Sequence, residues 1–149
     1  MLYALLKTLH LLSVILWVGG MLFAHFFLRP ALPLLEPPAR LALMQAVLGR
    51  FFTAVLVASL LAVGTGWAMW QAQALAAPPL GWWVMAVVGS AMLAIFLVIR
   101  LRLFPRFVRA AVGGGPPAAA ALAAIRRWVG VNLVLGIAIV VVLRMAPAF

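Results

Sequence analysis

The chain has no cysteine and only one acidic residue, Glu36, among its 149 positions. Without cysteine there are no disulfides, no thiolate metal ligands and no thiol redox chemistry, and nothing follows about compartment. A single carboxylate excludes paired-carboxylate catalysis, and because Glu36 lies in none of the long apolar runs, a carboxylate proton relay across a membrane is also unsupported. No phosphate-cradling glycine loop and no nucleophile–base pair is present, so hydrolytic chemistry has no basis. Histidine is limited to His10 and His25, and charged residues of both signs make up 8%.

What is abundant is apolar. Hydrophobic residues reach 69%, against about 45–50% in soluble proteins, which points to lipid as the solvent. The net charge of +10 would suggest nucleic acid in a soluble chain. Here the cations flank long apolar runs, so membrane topology and anionic headgroups explain them and no nucleic-acid partner is expected. Lys7 ahead of an apolar run resembles a signal peptide, yet the run continues to Leu28 without an obvious small-residue cleavage site, so it reads as a retained helix.

A helix crosses the hydrocarbon core with about 20 apolar residues. The expected spans are 2–28, 51–74, 80–99 and 128–145, giving one all-α domain: an integral membrane bundle of four transmembrane helices with both termini outside. Arg29-Pro30 ends the first span, and the second half of 31–49 reads as a surface helix. Ala76-Ala77-Pro78-Pro79 divides the uncharged stretch between Arg50 and Arg100. The third helix should run on as a basic segment, Arg100 to Arg109, before a turn at Gly113-Gly114-Gly115-Pro116-Pro117, and the fourth should begin near Ala118. Barrel strands are excluded by run length and uniform apolarity. The first and third connections carry Arg29, Arg40, Arg50, Arg100, Arg102, Arg106, Arg109, Arg126 and Arg127, and the second carries no basic residue. The positive-inside rule puts those two connections in the cytoplasm of a bacterial inner membrane, with Lys7 and Arg144 near the outer side. Trp67, Trp70, Trp82 and Trp83 gather at the outer boundary and Trp128 marks the inner one, as in an aromatic belt; a ligand platform is the competing reading.

An ionisable residue inside a span is costly and therefore a candidate for function. At 100° per residue Lys7, His10, Val14, Trp17, Met21 and His25 share one stripe, expected to face the bundle interior. Lys7 can snorkel to outer headgroups and His25 sits at the inner interface. His10 lies roughly 10 Å below the outer end of the helix, at about 1.5 Å per residue. It is either a ligand for metal or haem, or an imidazole hydrogen-bonded to a neighbouring helix. Met1, Met69, Met85 and Met145 fall near the same boundary on four different helices; thioethers suit Cu(I), and with imidazole they also hold haem iron, though methionine commonly just fills gaps in packing. Gly19-Gly20, Gly64, Gly66, Gly89, Gly130 and Gly136 are expected to allow close helix contact, and Asn132 to bond across helices.

These residues also carry a family resemblance. The segments Lys7-x-x-His10, Trp17-Val18-Gly19-Gly20-Met21, Leu28-Arg29-Pro30-Ala31-Leu32, Arg50-Phe51-Phe52, Thr65-Gly66, Phe104-Pro105-x-Phe107 and Arg126-Arg127-x-Val129-Gly130-x-Asn132-Leu133-x-Leu135-Gly136 together resemble the small, stand-alone members of the CopD-like copper-resistance membrane family. The opening pattern is also similar to HemJ-type protoporphyrinogen oxidases, four-helix proteins that bind haem b. Both resemblances point to His10 and Lys7, with Trp17 and Arg29 in support. The sequence departs from the expected pattern at the start of the third helix, where Trp82-Trp83-Val84-Met85 replaces a polar or histidine position.

Three functions follow. The first is copper handling from the periplasmic side, with His10 and some of Met1, Met69, Met85 and Met145 binding Cu(I), and a periplasmic copper carrier as a possible partner. The second is a haem b electron carrier or oxidase with His10 as an axial ligand. The third is an accessory subunit without cofactor, packing as a homodimer or within a larger membrane complex. The first is preferred, and an enzymatic activity is not required by it.

Overall fold

The computed structural model describes residues 1–73 and 79–145. Among these residues the chain is all helical. The helices are α1 (Leu2–Phe23), a short α2 (Arg29–Ala31), α3 (Pro37–Gln73), α4 (Leu80–Val98), α5 (Phe104–Gly113) and α6 (Gly115–Met145). They join end to end into four rods long and apolar enough to cross a membrane: Leu2–Leu34, Pro37–Gln73, Leu80–Gly113 and Gly115–Leu143. The chain is a four-helix, multi-pass membrane protein. The end of the second expected span, at residue 74, and the break at Ala76-Ala77-Pro78 lie outside the described residues.

Two rods change winding near the basic end for the same reason. Turns of π-helix occupy Ala24–Leu28 and Ile99–Leu103, each closed by an i→i−5 bond, from Arg29 N–H to the Ala24 carbonyl and from Phe104 N–H to the Ile99 carbonyl. Pro30 and Pro105 follow directly. A helical proline has no N–H to offer and its ring crowds the carbonyl four residues back. Those carbonyls belong to Phe26 and Leu101, mid-turn in each π segment, and the wider winding accommodates the ring.

The second rod corrects an expectation. The surface helix anticipated within 31–49 and the span anticipated from 51 are one helix, because a single buried stripe runs through both: Met44, Leu48, Phe52, Val55, Ser59 and Ala62, spaced by four and three residues. Arg50 interrupts the charge pattern but lies exposed, off that stripe. The expected turn after α5 is present. Gly114 and Gly115 adopt φ of 63° and 67°, a region open to glycine.

α1 packs mainly on α3, and α4 on α6, with α1 and α6 joining the two pairs and α5 folding against α6 and α3. Edge-on and tilted rings link the elements through the core: Trp17 to Phe96 at 6.0 Å, Phe96 to Phe52 at 6.1 Å, Phe52 to Phe104 at 5.3 Å and Phe104 to Phe107 at 6.5 Å between centroids. Such pairs contribute about 0.5–1.5 kcal/mol each beyond area burial. The glycines divide into two groups. A Cβ on Gly20 would collide with the Phe51 ring, one on Gly136 would reach 2.9 Å from Val18 Cγ2, and one on Gly66 would touch His10. Gly19, Gly64, Gly89 and Gly130 have nothing within 4 Å of a Cβ, so the close contact expected of them is absent among the described residues.

Candidate functional site

The expected α1 stripe faces inward for most of its length. Trp17 and Met21 are buried, and His10, Val14 and His25 are half-buried. Lys7 is exposed, which suits a side chain reaching for the membrane boundary. Trp17 fills the core against Phe96, two helical turns from His10.

His10 is held by α3. Its Nδ1 lies 2.9 Å from the Ala62 carbonyl oxygen and 3.2 Å from Thr65 Oγ1. A carbonyl only accepts, so Nδ1 carries the proton in the 2.9 Å bond. The Thr65 hydroxyl is turned to its own helix, donating to the Leu61 carbonyl at 2.6 Å. In the neutral imidazole so held, the lone pair is on the opposite nitrogen, Nε2. This arrangement fixes tautomer and ring orientation as backbone carbonyls do behind metal-ligating histidines. Gly66 completes the seat: a Cβ there would stand 3.5 Å from His10 Cε1, so any larger side chain would press on the ring. The seat was only partly legible in the sequence: Thr65-Gly66 stood out, but the Ala62 carbonyl carries no sequence signal.

The four methionines are placed unequally. Met69 is one helical turn beyond Thr65 on α3, sharing the face that holds His10, and is half-buried. Met85 on α4 is half-buried, whereas Met1 and Met145 are almost fully exposed. No group of three or more His, Asp or Glu side chains is assembled among the described residues. At this end Trp70 joins α3 to α4, its ring centroid 6.4 Å from that of Trp82 and 5.0 Å from that of Trp83. Asn132 bonds across helices as expected, its Nδ2 donating to the Met92 carbonyl at 3.1 Å, while its buried Oδ1 has no partner among the described residues. Arg29 starts α2 at the far end of the first rod, away from His10, exposed and lining one opening with Arg126 and Arg127 of α6.

The fold thus defines a multi-pass helical membrane protein, with an imidazole anchored between two of its spanning helices. Residues 45–145 match the family model for copper resistance protein D. That match covers more than half of the chain, and the chain belongs to this family, which ties it to copper resistance. It begins after the α1 segment that carries His10, and gives no support to the HemJ likeness of that helix. No curated protein and no solved structure matches the chain.

Proposed function

We propose that this protein receives copper as Cu(I) at the tryptophan-rich end of the bundle, with His10 Nε2 as the anchoring ligand and Met69 as its first thioether partner. Met85, Met1 and Met145 are the further candidates at that level. The observation that carries the reading is the Nδ1–H bond to the Ala62 carbonyl, which leaves Nε2 free and oriented. A soft thioether beside a neutral imidazole suits Cu(I). The charge asymmetry supports a periplasmic position for this end, in a bacterial inner membrane, where copper would arrive, free or on a periplasmic carrier, without crossing the bilayer. Lys7 stands at the headgroup level above the site. Copper is here a cargo, for uptake, transfer or removal. The open sides of Gly19, Gly64 and Gly89 suit a second helix, supplied by another copy of the chain or a larger complex.

Anaerobic Cu(I) titration of the purified protein against a competing chelator tests this. His10→Ala should weaken binding by at least about tenfold and Met69→Leu by less, within the range seen for lost ligands and their supports. Unchanged affinity in His10→Ala removes the site. A Soret band in the purified protein would put haem b at His10 in place of copper.

A further inference from the structure

The basic end of the bundle holds a cavity with a different chemistry. It is an open groove of about 360 Å³, lined by His25, Arg29, Ala123, Arg126, Arg127 and Gly130. His25 and Arg29 are one turn apart on the first rod, and Arg126 and Gly130 one turn apart on α6. Two stretches about a hundred residues apart in sequence therefore bring three arginines and a histidine to one opening, Arg126 and His25 half-buried and Arg29 and Arg127 at its exposed rim. None of the described residues lining it is acidic, and the chain's one acidic side chain, Glu36, is not among them. Arg126 is half-buried and within reach of the like charges of Arg29 and Arg40. A charge rule for topology asks only that arginines be on one side of the membrane. It does not ask them to converge, and a half-buried Arg126 facing like charges without a counter-charge costs free energy that a bound anion would offset.

From this cavity we infer a binding site for a phosphate group, of the kind carried by an anionic phospholipid headgroup, between the end of the first rod and α6. Guanidinium forks match phosphate oxygens bidentately, and basic pockets between transmembrane helices suit anionic headgroups. A cation such as copper is disfavoured by the same three arginines. The surroundings fit a lipid. Phe26 and Phe27 are 59% and 67% exposed beside His25, and Trp128 is 41% exposed beside Arg127, giving acyl chains apolar surface at the headgroup level. Gly130 forms open wall, since a Cβ there meets nothing within 4 Å. The site is independent of the copper reading and of which side of the membrane the basic end faces.

The test uses the full chain in a mild non-ionic detergent. It is titrated with phosphatidylglycerol or with phosphatidylcholine of matched chains, and bound lipid is read by native mass spectrometry. Phosphatidylglycerol should bind at least about tenfold more tightly. Arg126→Gln and Arg127→Gln should each cost about fivefold, the worth of one basic residue at a lipid surface. Gly130→Leu keeps every charge but fills the cavity, and should cost as much. Arg109→Gln, on the same side but outside the cavity, should cost little. Millimolar inorganic phosphate distinguishes the sources: failure to displace the lipid assigns the site to a headgroup, and displacement assigns it to free phosphate. Equal affinity for the two lipids, full binding in Gly130→Leu, or a loss in Arg109→Gln equal to that in Arg126→Gln would each overturn the site.

Discussion

Gly136 on α6 sits so close to Val18 on α1 that a Cβ would stand 2.9 Å from Val18 Cγ2 and 3.2 Å from Met92 Cε. Three rods meet at that point. Valine in a helix is confined to essentially one χ1 rotamer, so it cannot turn aside. Gly136→Ala should destabilise the bundle by about 1–2 kcal/mol, overpacking outweighing the gain in helix propensity. Gly130→Ala, with open space and the same propensity gain, should be neutral or stabilising. Unfolding of the two variants in one detergent checks the opposite signs; equal losses would show that the α1–α6 approach is not set by Gly136.

Gly66 gives a second variant that leaves His10 in place. Gly66→Leu would drive a side chain into the imidazole, whose Cε1 is already at van der Waals distance from a Cβ. Cu(I) affinity should fall about 10–100-fold, as when a supporting residue is lost, while Gly66→Ala should change it little. Unaltered affinity in Gly66→Leu would mean that copper does not need the ring where α3 holds it.

Phe52 is 1% exposed and is the centre of the ring chain joining α3 to α4 and α5. Phe52→Ala should cost about 3–5 kcal/mol. The lipid-facing Phe27, 67% exposed, should cost under about 1 kcal/mol on the same change, since surface positions rarely exceed that. Thermal unfolding followed by helical circular dichroism separates them.

Orientation is open to direct labelling because the chain has no cysteine. Gln73→Cys, at the end of α3, and Val112→Cys, 91% exposed near the end of α5, occupy opposite ends of the bundle. An impermeant maleimide applied to intact spheroplasts should label the first and not the second. The reverse pattern would put His10 toward the cytoplasm and end the proposal of periplasmic copper capture.

The sequence by itself determined the membrane class, the four rods and the basic and tryptophan-rich ends, because run length, apolarity and charge placement are local quantities. It also singled out His10, since an imidazole in lipid is conspicuous wherever it points. The tertiary structure decided the rest. The helix through Arg50 is continuous because Met44 and Leu48 find a core in the folded bundle that a hydropathy gap does not reveal. Which glycines are contacts and which are open depends on the rotation of each rod, and identical residues such as Gly130 and Gly136 differ only in that. The seat of His10 is a backbone carbonyl, a group every residue has, and only antiparallel packing of α1 on α3 brings the Ala62 carbonyl to it. The convergence of Arg29 with Arg126 and Arg127 has the same origin: sequence counts charges on a side, and packing alone sets the distance between them.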